Sequence, residues 1–146
     1  MMKYRFLIVP LLALPVIFLM SGVTPEPQPA ALRTELFVRD MAASVSFYHD
    51  VLGFDADPPK PGYNPVRLGG VIFGLSADSD LSRKHYFNPE LQAQRRGLGV
   101  ELVIEVPDVD AALARVKEKG WPVLSDLKQR PWGLRNFRVA DPDGYY

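Results

Sequence analysis

The residues of this chain best able to do chemistry are charged and aromatic side chains at alternate positions of two similar segments, Arg33, Glu35 and Phe37 in one and Glu101, Val103 and Glu105 in the other. Side chains alternate across a strand, so if Leu36, Val38, Leu102 and Ile104 pack inward, these six residues share the opposite face. Charges there are costly unless paired or wet, and so they invite a salt bridge or a polar ligand. An open, solvated sheet face is the plainer alternative. A second cluster runs Arg130, Pro131, Trp132, Gly133, Leu134, Arg135. Trp132 and Arg135 in that setting suit the rim of a pocket for a flat or anionic compound, or else the tryptophan plugs one end of a sheet. Other chemistry is poorly supplied. The chain has no cysteine and two histidines, which excludes disulfides and thiolate sites. His49 falls within a helical pattern and His85 in a connecting segment, and both read as surface residues. No serine has a glycine-flanked nucleophile setting, and Gly69-Gly70 is too short for a phosphate loop.

The elements that must position these residues follow from periodicity. Around Leu36 and Val38 a short strand ends at Asp40, whose carboxylate can accept from the amides of a first helical turn. Met41, Val45, Tyr48 and Leu52 recur at helical spacing, and Gly53 supplies the left-handed residue that commonly ends a helix. Strands are expected at Phe54 to Asp57, Pro65 to Leu68 and Val71 to Ser76, the last two joined by a Gly69-Gly70 hairpin. Residues 78–98 read as a surface connection. From residue 99 the pattern repeats: a strand through Leu102 and Ile104, a capping Asp108, a helix with Val109, Ala112, Leu113 and Val116 on one face, then Gly120 and strands at Val123 to Leu127 and Asn136 to Val139. A period of about 66 to 68 residues fits a duplicated supersecondary module. Module one is therefore 32–77 and module two 99–146, and only Tyr145 and Tyr146 stand where the second module's last strand is expected.

Length and composition allow one domain of ordinary size, 146 residues with 47% hydrophobic and 23% charged side chains. Seventeen basic and seventeen acidic residues cancel, so nothing in the bulk charge calls for nucleic acid or an anionic membrane. Residues 1–31 stand apart. Lys3 and Arg5 precede an uncharged apolar run from Phe6 to Val23, which suits a signal peptide or short anchor, or a start codon placed too early, with Met20 the true beginning. The domain is cytoplasmic on the second reading, and membrane-anchored or exported on the first. Thr24 to Ala31 reads as a proline-rich linker.

From Leu32 to Tyr146 the chain resembles the vicinal oxygen chelate superfamily, which includes glyoxalase I, extradiol dioxygenases and bleomycin-resistance proteins. The resemblance rests on ELFVRDMAASVSFYHDVLGF, VPDVDAALARVKEKG and FRVADPDGYY, in that order. It implies an α+β fold of two paired βαβββ modules whose curved sheets form a concave pocket, and it implies a homodimer. Metal-dependent members carry histidine seven residues before each helix cap, and those positions here hold Arg33 and Glu101. Arginine has no lone pair for a metal, and Glu101 alone is too few ligands. The expectation is therefore a metal-independent protein that binds a small organic molecule through Arg33, Glu35, Phe37, Glu101, Val103, Trp132 and Arg135, with Arg33 and Glu101 meeting as a pair. A metal-dependent lyase or dioxygenase with a divalent ion is the alternative.

Overall fold

The computed structural model describes residues 32–87 and 96–146. The run Phe6–Val23 and the linker after it lie outside the described residues. Among the described residues no helix is long and apolar enough to cross a membrane.

Module one is a four-stranded curved sheet with one helix against it. Strands β1 (Thr34–Val38), β2 (Asp55–Ala56), β3 (Tyr63–Leu68) and β4 (Val71–Ala77) lie in the order β1-β4-β3-β2. β1 runs parallel to β4, and the other pairs are antiparallel. The hairpin turn is the two-residue Gly69-Gly70, with Leu68 opposite Val71. Asp40 caps helix α1 (Met41–Ser46) by accepting from the Ala43 amide at 3.0 Å.

The first helix departs from its expected form. It continues from Phe47 to Val51 as a π-helical turn, in which the Leu52 amide reaches back five residues to the Phe47 carbonyl at 3.1 Å. Phe47 and Tyr48, within this turn, are both buried, each 2% exposed. Gly53, at φ 81°, then ends the element.

Module two contributes helix α2 (Val109–Glu118), capped by Asp108 through the Ala111 amide at 2.9 Å. Its two strands, β5 (Ser125–Gln129) and β6 (Arg135–Arg138), form an antiparallel pair and begin within two residues of their expected positions. The expected strand through Leu102 and Ile104 is a correction. The backbone there alternates in burial as a strand does, with Glu101, Val103 and Glu105 exposed and Leu102, Ile104 and Val106 partly buried, but it forms no ladder among the described residues. One bond stands where a ladder would, from the Leu102 amide to the Tyr146 carbonyl at 2.7 Å.

The two modules share one core. Leu36, Val38, Tyr48, Phe54, Val66, Phe73 and Leu75 are buried from the first, and Val116 joins them from α2, with Leu102, Ile104, Trp121 and Phe137 packed alongside. The turn at residues 141–145 ties the modules further. The Tyr48 hydroxyl meets Asp141 Oδ2 at 3.2 Å, the Arg39 amide donates to Asp143 at 3.2 Å, and the Tyr145 hydroxyl both accepts from the Phe37 amide and donates to the Phe37 carbonyl.

Candidate functional site

Register in module one places two short rows of side chains on the face turned away from the helix. Phe37, Ser76 and Tyr63 are directly opposed across β1, β4 and β3, then Glu35, Gly74 and Pro65. Arg33 lies just beyond the ladder on the same side as Glu35. The intervening residues Leu36, Val38, Phe73, Leu75, Asn64 and Val66 are buried on the other side, so alternation fixes the assignment.

These side chains interact with one another. The Tyr63 ring leans across Gly74, and its hydroxyl accepts from Arg33 Nη2 at 2.6 Å while the guanidinium lies 5.6 Å from the ring centre. A Cβ on residue 74 would sit 2.6 Å from that hydroxyl, so glycine is what leaves room for the ring. Ser76 donates its hydroxyl to Glu35. At the other end Phe37 meets the rings of His85 at 5.3 Å and Phe87 at 5.4 Å, brought back over the sheet by the connecting segment. The Phe87 amide donates to His85 Nδ1 at 3.2 Å. That bond leaves Nδ1 as the acceptor and the proton on Nε2. The face thus offers an aromatic cluster flanked by a guanidinium, a carboxylate and two hydroxyls.

Of the residues singled out from sequence, Arg33, Glu35 and Phe37 share this face. His85 was placed on the protein's surface; it is exposed, yet it packs against Phe37 and belongs to the cluster. Ser76 carried no sequence signal beyond strand alternation and Phe87 none; Tyr63 falls before the strand expected from Pro65, and β3 begins two residues earlier than that, at Tyr63. Glu101 and Val103 lie on the exposed side of the second module's extended segment, Val103 being 74% exposed. The expected pairing of Arg33 with Glu101 is not formed: Arg33 is held by Tyr63, and Glu101 lies 3.4 Å from Arg138 Nη2. Trp132 is 63% exposed at the β5–β6 turn and plugs nothing. Arg135 makes two bonds, at 2.6 and 2.9 Å, to Asp110 of α2, which directs its guanidinium to the helix. That hydrogen-bonded pair holds the Asp110 carboxyl below and the Arg135 guanidinium above its ordinary range.

Among the described residues the side chains at these positions do not fit a metal. Arg33 and Glu101 supply one carboxylate between them, His49 is turned to Asp50 at 2.9 Å on the helical side, and among the described residues no three His, Asp or Glu side chains gather closely enough to hold an ion.

The electrostatics of the connecting turn are distinct. Burial pushes the Asp141 carboxyl up to about 6, against the amide bonds from Tyr145 and Asp143 and the Tyr48 hydroxyl, which favour its charged form. Burial likewise raises Asp143, Tyr145 and Tyr48. These groups hold the modules together beneath the open face.

Comparison with known proteins is consistent along the length of the domain. Residues 30–146 match the family described as glyoxalase/bleomycin resistance protein/dioxygenase superfamily. An uncharacterized protein of Mycobacterium bovis is 29% identical over 133 residues, covering 86% of this chain and 83% of its own. Among solved structures, a glyoxalase/bleomycin resistance protein/dioxygenase from Nocardioides is 28% identical with a TM-score of 0.63, covering 84% of this chain and 82% of its own. A glyoxalase/bleomycin resistance protein from Streptomyces is 27% identical with a TM-score of 0.57, covering 77% and 92% respectively.

Proposed function

Because the chain belongs to the glyoxalase/bleomycin resistance protein/dioxygenase superfamily, we propose that it uses the concave face of module one to bind a small, flat organic molecule without a metal ion. The observation that carries this reading is the state of the two residues seven positions before the helix caps. Arg33 is donor-only and engaged by Tyr63, and Glu101 is engaged by Arg138, so neither resembles half of a metal bridge. What surrounds Arg33 suits recognition instead. The rings of Phe37, His85 and Phe87 offer stacking and edge contacts, while Arg33, Glu35 and Ser76 supply the few polar groups that orient a ligand in an otherwise apolar site.

The test combines metal analysis of the purified chain with a thermal-shift screen of small aromatic compounds on wild type and Phe37→Ala. The substitution leaves the backbone bonds from residue 37 to Tyr145 available. Expected are no stoichiometric metal and at least one compound that raises the melting temperature of wild type but not of the variant. One tightly held metal per chain, lost in Glu101→Ala, would overturn the reading in favour of metal-dependent chemistry.

A further inference from the structure

The open face of module one carries two unlike charges that stand side by side and do not meet. Arg33 and Glu35 are two residues apart on one side of the same extended segment, a step of roughly 7 Å, and both are exposed. Elsewhere in the molecule Arg96, Arg135 and Arg138 each lie against a carboxylate. Arg33 is turned instead to the Tyr63 hydroxyl, and Glu35 to the Ser76 hydroxyl. A hydroxyl fixes the direction of a charged group without cancelling its charge. It also leaves most of the bonding capacity open, since a guanidinium and a carboxylate can each make several hydrogen bonds.

Register decides where the two charges come to lie. Gly74 is the partner of Glu35 across β4, and the Tyr63 hydroxyl overlies it, 2.6 Å from where a Cβ would stand. The Arg33 guanidinium, 2.6 Å from that hydroxyl, is therefore drawn from beyond the ladder toward the row of Glu35. Ser76 is the partner of Phe37, so the Glu35 carboxylate is drawn in the same sense, toward the row of Phe37. Phe37 in turn meets the rings of His85 and Phe87. Along β1 the face thus presents a guanidinium, then a carboxylate, then aromatic rings.

The complementary molecule has an anionic group, a cationic group and a ring in that order. An aromatic carboxylate would meet Arg33 but set its charge against Glu35, and an aromatic amine would do the reverse. A ligand with both charges satisfies both residues without a like-charge contact. Building on the reading of this face as a ligand site, we propose that it takes an aromatic α-amino acid or a small molecule with the same zwitterionic head. The carboxylate lies on Arg33, the ammonium on Glu35 and the ring among Phe37, His85 and Phe87. Tyr63 and Ser76 are positioning residues, which keep the two charges from closing on each other before the ligand arrives.

The experiment is an amide-resolved NMR titration of the full-length chain at matched ionic strength. Its probes are L-phenylalanine, phenylpropionate, which lacks the ammonium, and phenethylamine, which lacks the carboxylate. Wild type should bind L-phenylalanine about threefold more tightly than either analogue, the usual scale of an exposed charge contact, with shifts at Glu35, Phe37 and Ser76. Arg33→Gln should lose the preference over phenethylamine and keep that over phenylpropionate. Glu35→Gln, which preserves an acceptor for Ser76, should do the opposite, and misfolding cannot produce that crossed pattern. Phe37→Ala should weaken all three ligands. Equal binding of the three by wild type, or loss of both preferences in both variants, overturns the zwitterion assignment; an aromatic compound that still binds through Phe37 then leaves the face a ligand site. Failure of every aromatic compound to bind through Phe37 overturns both.

Discussion

Gly74 and Asp141 show how single positions set the properties of the domain. Gly74 sits under Tyr63, and a methyl there would meet its hydroxyl at 2.6 Å and its ring at 2.8 Å. Gly74→Ala should therefore push Tyr63 off Arg33 and cost about 1–3 kcal/mol, as overpacking does. In a Tyr63→Ala background the same change should be nearly silent, and a double-mutant cycle by urea denaturation measures the difference. Asp141 makes a prediction about pH. Its folded pKa of about 6 lies above the ordinary 3.8, so the native state holds the proton more tightly than the unfolded chain does. The stability it contributes is complete below about pH 4 and is lost as pH rises through 6. The difference between these values corresponds to on the order of 2–3 kcal/mol. Asp141→Asn keeps an acceptor for the Asp143 and Tyr145 amides and should be as stable as wild type or more so at pH 7.5. Its advantage should shrink steadily on acidification to pH 4.5, read as the gap between the two melting temperatures. A gap that is flat with pH would mean Asp141 is not buried as described.

At the scale of elements, what was local was legible. Asp40 and Asp108 are read as caps from their place before an apolar helical pattern, and both accept from the amide three residues on. Asp108→Ala should cost about 1 kcal/mol, seen as a lower urea midpoint with unchanged slope. The π-helical turn was not legible, because the spacing of Met41, Val45, Tyr48 and Leu52 already satisfies an ordinary helix. The candidate site was legible by halves. Arg33, Glu35 and Phe37 follow from a period of two within one strand. Tyr63 and Ser76 join them through register between strands, and His85 and Phe87 through the path of a connection that carries no period. Arg135 was drawn toward Trp132 by sequence proximity, but its partner Asp110 lies 25 residues away on a helix whose rotation the pattern alone leaves open. The pairing of Arg33 with Glu101 failed for a similar reason: each has a nearer partner, and a long-range charge pair gains little once local ones are made.

Across the whole molecule, the two modules meet in a shared core and in the turn at residues 141–145. That turn bonds to several groups of module one: both backbone atoms of Phe37, the amide of Arg39 and the hydroxyl of Tyr48. Those bonds span 93 to 108 residues of chain, which has a consequence for synthesis. At roughly 5–20 residues per second on the ribosome, β1 and the first helix emerge on the order of 5 to 20 seconds before their fastening does. Through that interval β1 and the first helix have their own apolar face but not the turn that closes it, and chaperones or a neighbouring nascent chain compete for the same edge. The moment of commitment in the life of this protein is set by when the turn at residues 141–145 leaves the ribosome.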